Sequence, residues 1–294
     1  MSRIYRKLIF TISPIAIFGT IMPLTFTSCG GGIASLELSD EQKATFGNTL
    51  DTALPQTSVY QPMLNWMNNS TSNHRLLFIG YDGARVDAMA RLNPSTSAFY
   101  ANAYSKPYFT NAGGNKRGDQ QTKSNPGWCS ILTGQWGKEN GVRKNKGNKL
   151  KTDILPTTLS KKNYTASLND LDWHWIWREQ MQSSSVNYHE NSDSNNFTYI
   201  KQLIANGTKA VFCIFNHTDA TGEKYGFNPN NTEYMAAIHE TDDRAKQLIS
   251  QVQLRSSEDW MIVMTTDHGG KGKKHGGKTD AEIYTWLSCN KSIT

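Results

Sequence analysis

Three short apolar runs, each followed by an aspartate, constrain the fold of this 294-residue chain most strongly. The runs are RLLFIGYD, AVFCIFNHTD and WMIVMTTDH, and their aspartates are Asp82, Asp219 and Asp267. Apolar segments of this length are typical of buried strands, and the helix-like segments between them favour a parallel sheet. The sequence therefore predicts an α/β fold with a mostly parallel central sheet and helices on both faces.

Two histidines are expected near these aspartates. Parallel strands bring their carboxyl ends to one edge of the sheet, where open α/β sheets bind their ligands. His268 directly follows Asp267, and His275 lies in a Gly- and Lys-rich loop that gives a histidine little reason to be part of the core. Carboxylate and imidazole groups together suit divalent metals. The sequence therefore predicts a metal site at this edge.

Residues 1–28 have the form of a secretory signal. Three basic residues precede an apolar run over 8–26, and Cys29 follows two small residues. A bacterial lipoprotein signal, in which the cysteine is lipidated and becomes the new N-terminus, fits this pattern best. An uncleaved membrane anchor and simple secretion are the alternatives. All three place the body of the protein outside the cytoplasm.

The remainder divides into a connecting segment and one domain. Residues 29–60 are expected to form a tether and an N-terminal helix around Asp40 to Leu54, and residues 61–294 to form a single α/β domain. The formal charge of +6 does not by itself indicate a nucleic-acid partner. Two basic clusters, KRGDQQTK and VRKNKGNKLK, are either solvated loops or binding patches, and we favour solvated loops.

The cysteine count argues against a disulfide framework. If Cys29 is lipidated, three cysteines remain, and an odd number does not suit such a framework. Cys213 lies in an apolar run and Cys129 in a short predicted helix, where cysteine is commonly a small buried side chain. Neither is expected to act as a nucleophile.

Four motifs in this order resemble the alkaline phosphatase superfamily, most closely its type I phosphodiesterase and nucleotide pyrophosphatase branch. They are YDGARVD from Tyr81, TKSNPGWCSILTG from Thr122, DATGEKYG from Asp219, and TDHGG with KHGGKT from Thr266. Each motif is weak alone, and their order and placement at strand ends carry the resemblance. It covers about residues 75–287 and implies an alkaline phosphatase-like fold.

The resemblance also implies a site for two divalent metal ions, with Ser124 as the nucleophile. The ligands implied for the first metal are Asp82, Ser124, Asp267 and His268. The ligands implied for the second are Asp219 and His275, with Glu223 at a position where the family has histidine. Zinc is the expected metal, and manganese is an alternative at the second site.

Physical chemistry supports this set independently. Two cations about 4 Å apart stabilise both oxygens of an in-line displacement at phosphorus, and a serine is a weak nucleophile at neutral pH without such activation. Ser124 lies just before Pro126, where a helix is expected to start, so backbone N–H groups can face a phosphate oxygen. Taken alone, Asp82 suits a turn and Ser124 suits a helix cap. The combination favours the nucleophile.

Several positions depart from the family pattern. With Glu223, the second metal site is either retained with an altered preference or weakened, and His217 is an alternative ligand. Gly127 stands where the family has an asparagine. Trp128 stands where the overlapping sulfatase pattern has an arginine, so formation of formylglycine and sulfatase activity are not expected.

Three further features have open interpretations. Asp87, on a predicted helix, is expected to be solvated. Asp242, on the predicted helix over 231–252, is either solvated or a supporting group. The aromatic segment WHWIW over 173–177 either packs in the core or lines a substrate pocket.

The sequence thus predicts an extracytoplasmic, membrane-anchored two-metal hydrolase of phosphate mono- or diesters that forms a phosphoenzyme on Ser124. Its expected partners are a small phosphate ester or a surface glycan or lipid, and the membrane through the lipid anchor, without nucleic acid. The alternatives are a transferase of the phosphoethanolamine type and a non-catalytic binding lipoprotein that has lost the second metal site.

Overall fold

The structure is a computed structural model that describes residues 35–69, 73–113, 120–170 and 175–293. The predicted signal over 1–28 and the predicted lipidation site Cys29 lie outside the described residues. Within the described part of the chain, no helix is both long enough and apolar enough to cross a membrane.

A single sheet of eight strands organises the described residues. The strands are β1 Leu54–Pro55, β2 His74–Tyr81, β3 Tyr108–Asn111, β4 Ala166–Asp170, β5 Asn187–Glu190, β6 Ala210–Phe215, β7 Asp259–Thr265 and β8 Tyr284–Cys289. Their spatial order is β1-β3-β8-β7-β2-β6-β4-β5. β8 runs antiparallel to both β3 and β7, and every other neighbouring pair is parallel. This confirms the mostly parallel sheet.

Helices lie between the strands. They are α1 Asp40–Ala44, α2 Tyr60–Asn68, α3 Val86–Met89, α4 Ala98–Ala101, α5 Ser124–Thr133, α6 Gly137–Asn140, α7 Leu155–Ser160, α8 Arg178–Gln182, α9 Asp193–Ala205, α10 His217–Tyr225, α11 Thr232–Gln253 and α12 Asp280–Ile283. Within the described residues, 3-10 helices cover Gln56–Val59 and Trp175–Trp177.

The sheet buries side chains on both faces, which explains why its central strands are continuously apolar. Leu77 and Ile79 of β2 belong to one cluster, together with residues of α9 and α11. Leu76 and Phe78, the alternate positions of the same strand, belong to a second cluster with residues of α2, α5 and α7. The prediction of helices on both faces is therefore confirmed.

The helix predicted around Asp40 to Leu54 is much shorter in the structure. α1 covers only Asp40–Ala44, and a capping box of Ser39 and Gln42 holds its first turn. The side chain of Asn48 donates to the Thr52 and Phe109 carbonyls, and the Thr49 N–H donates to the Thr52 side chain. Such local bonds offer the backbone an alternative to the helical ladder. Thus the helix prediction was wrong beyond residue 44.

Candidate active site

The predicted site residues come from different elements that meet at the carboxyl edge of the sheet. Asp82 directly follows β2, and Asp267 lies two residues beyond β7. Ser124 is the first residue of α5. Asp219 lies in the first turn of α10, not at the strand end itself, because β6 already ends at Phe215. His275 lies in the loop between β7 and α12.

A first group of candidate ligands surrounds the Ser124 hydroxyl. Asp82, Asp267 and His268 are fully buried, and their ligand atoms all lie within 4.8 Å of one another. Ser124 Oγ donates to Asp82 Oδ1 at 3.3 Å and lies 3.4 Å from His268 Nε2. His268 Nε2 in turn lies 3.4 Å from Asp82 Oδ1 and 3.4 Å from Asp267 Oδ2. The serine oxygen therefore faces the candidate metal-ligand atoms of this group.

Burial and one local hydrogen bond define the protonation state and the tautomer of His268. Its Nδ1 lies 2.8 Å from the Gly269 carbonyl, so this nitrogen carries a proton and Nε2 presents its lone pair to the site. Burial, followed by the neighbouring His275, lowers the pKa of His268 to about 3. A neutral imidazole with Nε2 free toward carboxylates is the form that binds a metal.

A second group lies on α10 and in the loop after β7. Asp219, His268 and His275 place one ligand atom each within 4.8 Å of one another. The rings of His268 and His275 are stacked with centroids 4.2 Å apart. Glu223 Oε1 lies 3.3 Å from His275 Nε2, although the Glu223 side chain is 56% exposed. The structure therefore brings Glu223 to the border of this group, one turn beyond Asp219.

The two groups suit divalent metal ions. Asp219 Oδ1 and Asp267 Oδ2 are buried and accept no hydrogen bond among the described residues. Asp267 Oδ1, by contrast, accepts the Gly83 N–H at 3.2 Å. Burial raises the pKa of both carboxyls well above the usual range, and the nearby Asp82 raises it further. Buried carboxylate oxygens without hydrogen bonds are costly unless a cation compensates them. These donors, together with the neutral His268, therefore fit the two metals that the resemblance implies.

Trp128 and Gly127 have structural roles in the site that the sequence did not reveal. Trp128 is fully buried, and its Nε1 donates to Asp82 Oδ2 at 3.1 Å. A Cβ on Gly127 would lie 2.7 Å from Asp267 Cβ and 2.8 Å from the Asp267 carbonyl oxygen. The tryptophan therefore orients Asp82, and the glycine lets α5 approach the backbone of Asp267. Both departures from the family pattern serve close packing at the first group.

Asn145 is a functional candidate that the sequence reasoning missed. Its Oδ1 accepts the N–H of Asn125 at 3.0 Å, and its backbone carbonyl accepts from Asn125 Nδ2 at 3.0 Å. Because Oδ1 is the acceptor, Nδ2 keeps both N–H groups for another acceptor. The N–H of Ser124 likewise has no acceptor among the described residues. The sequence did contain a signal for this segment, because Asn145 lies inside the basic cluster VRKNKGNKLK, for which a binding patch was the alternative to a solvated loop.

Lys123 adds positive charge beside the site. It is the N-cap residue of α5, and its side chain lies against Gly276, the residue after His275. Its charge partly opposes the rise in the pKa of Asp219 that burial causes, and it adds to the lowering of the pKa of His268 that burial causes. It is therefore a cation next to the serine that is not itself a candidate metal ligand.

His217 does not join either group. Its Nε2 pairs with Glu240 at 3.1 Å, and the candidate metal groups among the described residues do not include it. The alternative of His217 as a replacement ligand is therefore not supported by the geometry, and Glu223 holds the nearer position.

The expectation that Asp87 is solvated was wrong. Asp87 and Arg85 are fully buried and form an ion pair at 2.6 Å. Arg85 Nη1 also donates to the carbonyls of Phe227 and Gly270, which lie in the loops that carry the second group. Asp242 is buried as well, and it accepts the N–H groups of Ala98 and Phe99. Both aspartates therefore hold loops and helices in place.

The aromatic segment is only partly described. Trp173 lies outside the described residues. Trp177 is fully buried, and its Nε1 donates to Asp170 Oδ2 at 3.1 Å, so this residue packs in the core.

The three cysteines in the described range are free and buried. Burial raises the pKa of Cys129 and of Cys213, and it raises the pKa of Cys289 to about 11. These thiols are therefore protonated and unsuited to nucleophilic attack at neutral pH.

The fold is an α/β fold with a mostly parallel sheet, and its carboxyl edge brings together two groups of candidate metal ligands. The sequence profile described as type I phosphodiesterase / nucleotide pyrophosphatase matches residues 146–281, which include Asp219, Asp267, His268 and His275. This match confirms the predicted resemblance, and the predicted enzyme class, a phosphoric ester hydrolase, agrees with it. Asp82 and Ser124 lie outside the matched range.

Solved structures with the same type of fold include a putative sulfatase from Bacteroides thetaiotaomicron. It is 11% identical, with a TM-score of 0.53 over 73% of this chain and 64% of that protein. Murine ectonucleotide pyrophosphatase / phosphodiesterase 5, in an inactive form in complex with AMP, is 15% identical, with a TM-score of 0.49 over 67% of this chain.

The alkaline phosphatase from the Antarctic bacterium TAB5 is 8% identical, with a TM-score of 0.48 over 73% of this chain and 90% of that protein. This chain spans only 57% of the length of the murine ectonucleotide pyrophosphatase. No protein among curated sequences matches the chain. At these identities the likeness to the sulfatase shows a shared fold.

Proposed function

We propose that this protein is a two-metal hydrolase of phosphate esters in which Ser124 forms a covalent phosphoenzyme. The observation that carries the proposal is the position of Ser124 Oγ. It lies at the N-terminus of a ten-residue helix and within 3.4 Å of candidate metal-ligand atoms of both Asp82 and His268. The family match provides the reaction class.

The first step is attack of Ser124 Oγ on phosphorus. The serine releases its proton to solvent, and the bond from Oγ to phosphorus forms. The ester bond on the opposite side of phosphorus breaks, and the departing oxygen keeps the electron pair and takes up a proton from water, so that the alcohol is released. When bound, the divalent cations supply positive charge that stabilises the serine alkoxide and the phosphate oxygens. The chain itself offers the Ser124 N–H and the Asn145 amide as donors and Lys123 as a nearby cation, so phosphate orientation does not depend on an asparagine at position 127.

The second step releases the phosphate. Water attacks phosphorus, the bond to Ser124 Oγ breaks, and the serine recovers a proton. Transfer to a sugar hydroxyl in place of water would make the same intermediate serve a phosphoethanolamine-type transferase, and product analysis separates the two outcomes.

The zinc assignment rests on the donor set. Nitrogen from His268 and His275 together with carboxylate oxygen suits zinc. Glu223 gives the second group one more oxygen donor, which favours a harder metal such as manganese there.

We further propose that the protein acts outside the cytoplasm and is lipidated at Cys29. The basic residues, the apolar run and the small residues before Cys29 support this proposal. Mass spectrometry of the mature N-terminus tests it. A diacylglyceryl group on Cys29, lost together with membrane association in Cys29→Ser, is expected, whereas an intact residue 1 would contradict it.

Substitution of Ser124 is the direct test of the hydrolase. Soluble protein lacking residues 1–29 should bind two metals per chain and hydrolyse 4-nitrophenyl phosphate or bis(4-nitrophenyl) phosphate. Ser124→Ala is expected to lower kcat by at least about 10³-fold, because it removes the nucleophile.

Ser130→Ala is the matched control. Ser130 is also buried on α5 and donates to Gln120 Oε1, away from the metal groups. It should keep activity within about tenfold of wild type, since it removes one neutral hydrogen bond. Equal turnover by wild type and Ser124→Ala would contradict the phosphoenzyme, and one metal or none without turnover would favour the non-catalytic binding protein.

A further inference from the structure

Three lysine-bearing segments meet around Ser124, and we call them together the basic rim. The segments are Lys123 itself, the loop 143–147 and the hairpin 271–278. The rim lysines are Lys123, Lys144, Lys146, Lys271, Lys273, Lys274 and Lys278. All except the half-buried Lys123 are exposed.

Contacts tie both loops to the residues just before the serine. The Gln121 N–H donates to the Arg143 carbonyl at 2.9 Å, and Asn145 binds Asn125 as described above. On the other side, Thr122 Oγ1 donates to the Gly277 carbonyl at 3.0 Å. The basic loops therefore flank the site and are not isolated solvated segments.

The rim lysines are not held in ion pairs. None of the seven forms an ion pair among the described residues, although the charge of Lys123 also acts on the buried Asp219. By contrast, Lys149 and Lys161, beyond the rim, pair with Glu179 and Asp153. The hairpin and the loop contain no acidic residue at all. Like charges held together repel one another, so an anion that bridges them is stabilised.

We infer that the basic rim selects phosphate esters that carry at least one further anionic group outside the phosphate that is cleaved. This inference rests on the proposed function for the site at Ser124. The additional group can be a second phosphate, a carboxylate or a sulfonate a few ångströms from the reacting phosphorus. At physiological ionic strength, charges interact over a screening length of about 8 Å, so the rim lysines can act on a group at this distance. Several lysines together attract such an anionic group, whereas they do not attract a neutral substituent.

A pair of substrates that differ in one charge tests the inference. 4-Nitrophenyl phenyl phosphate and its analogue with a sulfonate on the phenyl ring release the same nitrophenol. The ratio of their kcat/KM values in wild type is expected to favour the sulfonated ester by about fivefold or more at low salt and to fall toward one at 0.5 M NaCl. A ratio at or below one at low salt overturns the inference.

Rim variants locate the effect. The double variants Lys144→Gln/Lys146→Gln and Lys273→Gln/Lys274→Gln should each lower this ratio by about threefold. Lys106→Gln/Lys246→Gln removes the same charge from exposed lysines that donate to the carbonyls of Ala44 and Thr96. This control should keep the wild-type ratio. An equal loss in the control and the rim variants would assign the effect to net charge and overturn the role of the rim.

A binding measurement separates failure of the inference from failure of the hydrolase. Absence of Ser124-dependent turnover for both esters would refute the proposed function. Calorimetry with benzene-1,3,5-trisulfonate on metal-loaded Ser124→Ala protein still reports on the rim, since this trianion has no phosphate to be cleaved. Saturable binding that weakens in the rim variants but not in the control supports the rim, and absence of binding overturns it.

Competition experiments distinguish two sources of the additional charge. The first pair of inhibitors is ADP and AMP, in which the additional phosphate is attached to the first phosphate. The second pair is fructose 1,6-bisphosphate and fructose 6-phosphate, in which the additional phosphate is on the opposite end of the sugar. A stronger gain in the first pair identifies polyphosphate esters, a stronger gain in the second identifies phosphorylated sugars, and no gain in either overturns the inference.

Discussion

The two groups of candidate ligands differ in how the fold holds them. Asp82, Asp267 and His268 follow the central strands β2 and β7 and are fully buried. Asp219, Glu223 and His275 belong to a helix and a glycine-rich loop, and the Glu223 side chain is 56% exposed. The first group depends on the pairing of β2 with β7, whereas the second depends on loops. We therefore expect the second group to tolerate a change of ligand type better than the first, and Glu223 is the candidate ligand that departs from the family pattern.

Substitution in the first group should have the largest effect. Asp267→Asn keeps the shape of the side chain but removes a charge that faces Ser124 and His268. We expect kcat/KM to fall by about 10³-fold or more, since the group that stabilises the nucleophile is lost. Steady-state kinetics and metal analysis check this. An activity within tenfold of wild type would show that the first group is not the centre of the reaction.

Substitution at Glu223 should have a smaller effect on the same measurements. Glu223→Gln is expected to lower kcat/KM by about tenfold and to weaken binding of one metal, because one exposed oxygen ligand loses its charge. Glu223→His restores the residue that the family has at this position and should favour zinc over manganese. If Glu223→Gln removed activity as completely as Asp267→Asn, the contrast between the two groups would be wrong.

Substitution of a glycine beside each group should show the same contrast in the free energy of unfolding. Gly127→Ala places a Cβ 2.7 Å from Asp267, next to the backbone, and we expect a loss of stability of about 2 kcal/mol. At Gly276, whose φ is +107°, the three atoms nearest to the new Cβ all belong to the flexible side chain of Lys123. Gly276→Ala should therefore cost about 1 kcal/mol, mostly through its backbone angle. Denaturant unfolding of the two variants measures the difference, and equal losses would contradict the more rigid first group.

The pH dependence of the metal-free protein should show the smallest effect. Burial raises the pKa of Asp219 and Asp267, so their contribution to stability is greatest at low pH and is lost as pH rises through these raised values. His268, with its pKa lowered to about 3, acts in the opposite direction below about pH 6.5. Above about pH 6.5 the imidazole no longer opposes the two carboxyls, so Tm of chelator-treated protein should fall as pH rises from there.

Asp267→Asn should reduce this fall by removing one of the two carboxyls. Added metal should reverse its direction, because the bound ligands must be deprotonated. A Tm of the metal-free protein that rises with pH would show that the carboxyls are not held in the protonated form.

Most of the first group could be predicted from sequence because strand runs and the aspartates that end them are local signals. Asp82 and Asp267 follow apolar runs, and the parallel arrangement then brings them together. Asn145 and Arg85 could not be predicted in the same way. Asn145 reaches Asn125 through a polar loop without periodic pattern, and the buried ion pair of Arg85 with Asp87 depends on tertiary contacts that local polarity does not indicate. Solvation was the wrong expectation for Asp87, which is buried, whereas Lys144 and Lys146 on either side of Asn145 are exposed.

The position of β8 has a consequence for the order of folding. β8 is the last of the described strands in sequence, yet it lies inside the sheet, between β3 and β7. Among the described residues, the β1–β3 pair joins the other strands through β8. During vectorial synthesis, the sheet cannot close until residues 284–289 have emerged, so a growing chain keeps the edges of β3 and β7 open until that moment. Such late, long-range closure makes the nascent chain dependent on protection against aggregation.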